Sequence, residues 1–151
     1  MVYTVLKFIH VVSIAIWLGG LITMLTLNRI LQRAGDPAAL QALGRQGGVI
    51  SMRLFMPAVL MTVITGIGMV QSGQLTFRST WVMWGIAGTV VSFVLGGIFT
   101  GAASRKLGRQ LASGAISAPD AARVQQRILL AVILNLLVLL SVVWAMVAKP
   151  G

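Results

Sequence analysis

The sequence predicts an all-α fold, a four-helix transmembrane bundle with both chain termini outside. Hydrophobic residues make up 58% of the 151-residue chain and charged residues only 9%, whereas soluble domains carry about 25% charged residues. The mean hydropathy of +0.96 agrees with a membrane protein. Four apolar stretches and the basic residues between them predict the number of helices and their orientation.

Each of the four stretches is long enough to cross a hydrocarbon core about 30 Å thick, which takes roughly 20 helical residues. They lie at about 4–27, 54–72, 80–103 and 128–147. Continuous apolar runs without period-two alternation satisfy their backbone hydrogen bonds in lipid as helices. The spans leave little sequence for a soluble domain, so we expect one domain, 1–151. The first stretch runs on to Leu27 without a small-residue cleavage pattern, which favours a span over a cleavable signal peptide.

Basic residues predict the orientation. The chain has 12 Lys and Arg against 2 Asp and Glu, a net charge of +10. Because these residues lie between apolar runs, we interpret them as topology determinants that face anionic headgroups, and we expect no nucleic-acid partner. Most lie in the first and third connections: Arg29, Arg33, Arg45, Arg53, Arg105, Lys106, Arg109, Arg123 and Arg127. The positive-inside rule assigns both connections to the cytoplasm. Aromatic residues lie near the predicted outer interface: Tyr3, Trp81, Trp84 and Trp144.

The two cytoplasmic connections resemble each other. GDPAALQALGRQGG and SAPDAARVQQR each have Pro and Asp at the start of a polar helical run that leads into the next span. We expect Asp36 and Asp120 to cap these helices, and two related helical hairpins are one form that the bundle could take. Within the spans, Pro57 is expected to kink or loosen its helix, and Asn135 to hydrogen bond between helices.

The segment LKFIHVVSIAIWLGG, residues 6–20, carries the only histidine of the chain inside an apolar run. Helical periodicity predicts one inward face that consists of Lys7, His10, Ser13 and Trp17. An ionisable group against lipid costs about 3 kcal/mol, so His10 is a candidate functional residue. The alternative is a neutral His10 that hydrogen bonds a backbone carbonyl or a hydroxyl, with Lys7 reaching out to the interface.

The depth of His10 indicates which residues could surround it. A rise of 1.5 Å per residue puts it roughly 9 Å below the outer surface, level with TGIGM in the second span and WGIAG in the third. Small residues allow close helix packing and also leave space for a flat macrocycle, so Gly66 and Gly85 are candidate cofactor contacts. Thioethers near this level could ligate haem iron or copper(I), or simply fill space: Met69, Met83 and Met146.

A hydrolytic or acid–base catalytic site is not expected. The spans contain no carboxylate, and the chain has no second histidine and no cysteine. Without these groups, no nucleophile–base pair of the usual kind can be assembled.

With these residues assigned, the chain resembles a superfamily of small four-helix membrane proteins. This superfamily includes the haem-carrying protoporphyrinogen oxidases of bacteria and the membrane domain of copper-resistance D-type proteins, and the likeness is nearest to predicted integral membrane proteins without an assigned activity. The resemblance is carried by the segments LKFIHVVSIAIWLGG and MRLFMPAVLMTVITG, by Trp81 and by the terminal AKPG. The resemblance implies that His10 serves haem. The oxidases also carry a lysine after the tryptophan of the third span, where this chain reads TWVMWGIAG.

Three functions follow as expectations. The first is a haem-b-binding protein with an electron-transfer or redox role near the outer face, with His10 as axial ligand and cofactor contacts from Lys7, Trp17, Gly66 and Gly85. The second is a copper-handling protein that uses His10 with Met69, Met83 or Met146, and the third is a structural or assembly subunit without a cofactor. As an enzyme it would be an oxidoreductase.

Location and partners complete the expectations. We expect a multi-pass protein of the bacterial inner (cytoplasmic) membrane, with the lipid bilayer as its surroundings. Because the chain has one histidine, a homodimer could share one iron between two copies. The sequence identifies no quinone or other redox partner.

Overall fold

The computed structural model describes residues 1–73 and 76–149, so Pro150 and Gly151 of the terminal AKPG lie outside it. Its elements, in chain order, are α1 (Val2–Ala34), α2 (Pro37–Ile50), the π-helical segment π1 (Ser51–Phe55), α3 (Met56–Gln71), α4 (Thr80–Ser92), the π-helical segment π2 (Phe93–Thr100), α5 (Gly101–Ala112) and α6 (Ala118–Ala148). Residues 1–73 and 76–149 form no strand, which confirms the all-α prediction.

Among residues 1–73 and 76–149, four long helices are apolar enough to cross a membrane. α1 and α6 are two of them, and the others are the continuous helices Ala38–Gln71 and Thr80–Ala112. The four predicted spans lie on these helices, and only 54–72 extends past its helix, by one residue. Because each helix has 30 or more residues and about 20 cross the hydrocarbon core, every helix extends beyond the core.

The chain divides into two compact units, Met1–Ser79 and Thr80–Gly151. In the first, which we call the first hairpin, α1 packs against α3. In the second hairpin, α4 packs against α6. The structure therefore agrees with the prediction of two helical hairpins. That the two hairpins are related to each other, and that the chain is a single domain, stay predictions.

The predicted capping residue is correct for α2 and wrong for α6. Asp36 is the N-cap of α2 and accepts a hydrogen bond from the Ala39 N–H at 2.9 Å, as predicted. At α6 the prediction for Asp120 is wrong, because Ser117 is the N-cap and accepts from the Asp120 N–H at 3.3 Å. Asp120 instead accepts from the Ser117 hydroxyl and pairs with Arg123 at 3.4 Å. In a capping box the carboxylate would accept from the backbone N–H of the N-cap residue, whereas here it accepts from the Ser117 hydroxyl.

Pro57 loosens its helix in the predicted way. Proline has no N–H to donate to the preceding turn, and the turn just before it is π1, where the Met56 N–H donates to the Ser51 carbonyl five residues back. The loosening expected at Pro57 therefore takes the form of a π-helical turn at Ser51–Phe55.

The second π-helical segment, π2, contains no proline and was not predicted. It lies against Asn135 of α6, which is only 2% exposed, and a Cβ on Gly96 would lie 2.8 Å from Asn135 Nδ2. Asn135 Oδ1 and Ser92 Oγ have no hydrogen-bond partner among residues 1–73 and 76–149. Asn135 Oδ1 therefore does not form the predicted interhelical hydrogen bond, and its amide instead occupies the space that Gly96 leaves.

Candidate functional site at His10

One face of α1 is buried at three positions: His10, Ser13 and Trp17. His10 is 7% exposed, Ser13 5% and Trp17 8%. The spacing of three and four residues puts them on one side of the helix. The predicted inward face is confirmed for these three residues.

Lys7 does not belong to this face, and the prediction that included it is wrong. Its side chain is exposed. An α-helix turns about 100° per residue, so Lys7 lies about 60° from His10 on the side opposite Ser13. Leu6 is half-buried and lies toward α3 instead, because a Cβ on Gly68 of α3 would lie 3.2 Å from Leu6 Cδ1.

His10 connects α1 to α3 through one ring nitrogen. Its Nδ1 lies 2.9 Å from the Thr62 carbonyl oxygen and 3.0 Å from Thr65 Oγ1. A carbonyl oxygen can only accept, so Nδ1 carries the hydrogen and donates it. Among the described residues, Nε2 forms no hydrogen bond. The bonds predicted for a neutral, structural histidine are thus present, and they use only one of its two nitrogens.

Gly66 lies beside the imidazole. A Cβ on Gly66 would be 3.4 Å from His10 Cε1, which is van der Waals contact. The depth count, which put Thr65 and the residues after it level with His10, therefore agrees with the structure at Thr65 and Gly66. We expected Gly66 to face a cofactor, and the structure shows that it makes room for the imidazole.

The remaining predicted site residues are divided between the hairpins. Met69 is 6% exposed in the first hairpin, one turn beyond Thr65 on α3. Met83 belongs to the second hairpin and is 52% exposed, which gives no support to the copper ligand set. Gly85 lies against Met146 in that hairpin, since its Cβ would be 3.2 Å from Met146 Cε.

Sequence reasoning missed Thr62 as a partner of His10 and did not single out the hydroxyl of Thr65. Both are buried, and the Thr62 hydroxyl donates to the Ala58 carbonyl at 2.9 Å. Their spacing of three residues places them on the same face of α3. Two threonines at helical spacing within an apolar span were the available signal.

The donor set limits the kind of metal centre that could be held here. Within residues 1–73 and 76–149, no three His, Cys, Asp or Glu side chains form a group that could hold a metal ion. A bare structural or catalytic zinc ion needs three or four such ligands. A haem iron needs only one or two, because the porphyrin supplies the other four. A single buried imidazole therefore fits haem ligation.

Comparison with protein families identifies a relationship. A family model described as predicted integral membrane protein (DUF2269) matches residues 4–150. No curated protein matches the chain, and no solved structure matches it. The matched region takes in both hairpins and the buried face of α1. The chain therefore belongs to the family of predicted integral membrane proteins DUF2269.

Proposed function

We propose that this integral membrane protein binds haem b in its first hairpin, where His10 would hold the iron, and that it transfers electrons or senses redox state near the outer face of the bacterial inner membrane. One observation carries the proposal. The imidazole is 7% exposed at membrane depth, with Nδ1 hydrogen-bonded to α3 and Nε2 without a hydrogen-bond partner among the described residues. When bound, haem would supply one-electron redox chemistry through its iron.

The bonding pattern of His10 supports a ligand role. Histidines that ligate metals almost always donate their other ring N–H to a carbonyl or carboxylate, which fixes the tautomer and the ring orientation. The Nδ1 contact with the Thr62 carbonyl at 2.9 Å has this form. As a purely structural link the same bond would contribute only about 1 kcal/mol in a membrane. The resemblance of LKFIHVVSIAIWLGG to the first helix of haem-carrying proteins points the same way.

The neighbouring residues have supporting roles in this proposal. Lys7 is exposed at the end of α1, where its ammonium could pair with a haem propionate through a charge-assisted hydrogen bond. Trp17 is buried on the face that carries His10 and contributes apolar packing. Met69 is a buried thioether on α3 and could supply a further ligand to the iron, as could a second copy of the chain.

The haem content of the purified protein tests the proposal. The wild-type chain should show a Soret band and the pyridine haemochrome of haem b. His10→Ala should lose most of this haem, because the axial ligand is gone. Ser13→Ala is the matched control, since Ser13 is buried on the same face, and it should retain haem. Full haem content in His10→Ala, or a wild-type protein that takes up no added haemin, would contradict the proposal.

A further inference from the structure

We infer that Thr65 is a positioning residue for His10: its hydroxyl oxygen, together with the Thr62 carbonyl, accepts the Nδ1–H, holds the ring in the Nδ1–H tautomer and leaves the lone pair on Nε2. The tautomer follows from hydrogen bonds within the first hairpin. Its consequence for an iron atom rests on the proposed function.

The Nδ1–H tautomer of His10 follows from where the hydroxyl proton of Thr65 is donated. The Thr65 hydroxyl has one proton, and its oxygen lies 2.5 Å from the Met61 carbonyl oxygen and 3.3 Å from that of Thr62. Donation to Met61 leaves the lone pairs of Thr65 Oγ1 to accept from Nδ1, 3.0 Å away. The Nε2–H tautomer would instead set the Nδ1 lone pair against the Thr62 carbonyl oxygen at 2.9 Å. Electrostatic repulsion between these two acceptors disfavours that tautomer.

The two threonines act on His10 through different atoms. Thr62 contributes its backbone carbonyl, and its own hydroxyl donates to Ala58. Thr65 contributes its side chain. Thr65→Val therefore removes one acceptor from the Nδ1–H, whereas Thr62→Val keeps the carbonyl. This pair of isosteric substitutions separates the role of Thr65 from a general effect of losing a buried hydroxyl in α3.

Loss of the Thr65 hydroxyl should change the basicity of Nε2, the nitrogen that would bind iron, as well as the hydrogen bonding of the ring. A hydrogen bond from the distal ring N–H raises the basicity of the ligating nitrogen, and a more basic ligand stabilises ferric iron. Thr65→Val should therefore raise the midpoint potential of bound haem, while Thr62→Val should leave the potential at the wild-type value. Thr65→Ser keeps the hydroxyl and should restore the wild-type potential.

Nitrogen NMR on the haem-free protein gives a readout that needs no cofactor, and the single histidine makes labelling with [15N]histidine specific to His10. We expect a pyrrole-type Nδ1 and a pyridine-type Nε2 in the wild type. Thr65→Val should shift the Nδ1 and Nδ1–H resonances, and Thr62→Val and Thr65→Ser should not.

Two results would overturn the inference: an Nε2–H tautomer in the wild type, or indistinguishable spectra for Thr65→Val and Thr62→Val. The same experiments distinguish a failure of this inference from a failure of the haem proposal. If the wild type binds no haem but shows the Nδ1–H tautomer and the Thr65→Val shift, the inference holds and the haem proposal is wrong. If haem binds and the tautomer is Nε2–H, the haem proposal holds and the inference is wrong.

Discussion

At the scale of single residues, burial of the only histidine is compensated on one side of its ring. Nδ1 finds two oxygen atoms on α3, at 2.9 Å and 3.0 Å. A buried donor without a partner costs about 1–3 kcal/mol, so these contacts make a neutral imidazole tolerable at membrane depth. They also make His10 a side chain that joins α1 to α3 by hydrogen bonds.

Substitution of Gly66 tests how closely α3 surrounds the imidazole. A Cβ there would be 3.4 Å from His10 Cε1, so Gly66→Ala should be accepted with haem content near the wild-type level. Gly66→Leu should lose haem, because the longer side chain needs the space of the ring. The measurement is haem per chain after purification, with folding checked by circular dichroism. A folded Gly66→Leu protein with full haem would contradict the assigned contact.

Substitution of Lys7 tests the propionate contact. Lys7→Met should retain haem, because His10 is intact, but weaken its binding by about 1–3 kcal/mol through loss of a charge-assisted hydrogen bond. A haem titration of both proteins measures the difference, and neither should oxidise protoporphyrinogen, because TWVMWGIAG lacks the lysine of the oxidases. Unchanged affinity would show that Lys7 only reaches to the lipid headgroups. Oxidase activity in the wild type would show that the lysine of the third span is dispensable.

The burial of His10 and Trp17 was predicted from helical spacing, and the level of Gly66 beside His10 from the depth count, because both follow from simple geometry. Lys7 was assigned to the wrong face because a spacing of three residues allows two positions to share a face, whereas the structure leaves Lys7 exposed and turns Leu6 toward α3. Thr62 was missed because the depth count starts at Thr65, whereas the contact is made by the Thr62 backbone carbonyl, which points along the helix axis toward that level.

At the scale of helices, hydropathy located all four spans because the requirement to cross lipid is strong and local in sequence. π1 followed from the chemistry of Pro57. π2 did not follow from any local signal, because it lies where the Asn135 amide meets Gly96, a contact between residues distant in the sequence. The start of α6 was misassigned because Ser117 and Asp120 are both good capping residues.

The packing of α4 on α6 predicts different outcomes for two glycines. A Cβ on Gly88 would clash with Val142, a stiff, branched side chain that is 4% exposed. Overpacking of this kind costs about 1–3 kcal/mol, so Gly88→Ala should lower the melting temperature in detergent. Gly97→Ala is the control, because its Cβ would be 3.7 Å from Phe93, an ordinary contact. Equal melting temperatures for the two variants would contradict this packing.

At the scale of the whole molecule, most of the basic residues lie at one end of the hairpins, and tryptophans lie at the other end of the second hairpin. The connections within the hairpins carry most of the basic residues. At the other end of the second hairpin, the Lys149 ammonium lies 5.9 Å from the centre of the Trp81 ring, and Trp144 is 65% exposed. Tryptophan and lysine at this end are typical of a membrane interface.

This distribution predicts that both termini are outside. The chain has no cysteine, so single cysteines can be introduced and labelled with a membrane-impermeant reagent in intact cells. Phe77→Cys, between α3 and α4, should react from outside. Ala38→Cys and Ala115→Cys should react only after the membrane is opened. The reverse pattern would invert the topology and move His10 to the cytoplasmic half of the membrane.

Ligation of haem iron by His10 is tested most directly by electron–nuclear double resonance on the ferric protein grown with [15N]histidine. The label enters a single residue, since His10 is the only histidine. The haem proposal predicts a 15N coupling comparable to that of the porphyrin nitrogens, which only a nitrogen bonded to the iron produces. A haem-loaded protein without this 15N coupling would show that another group holds the iron and that His10 serves only to join α1 to α3.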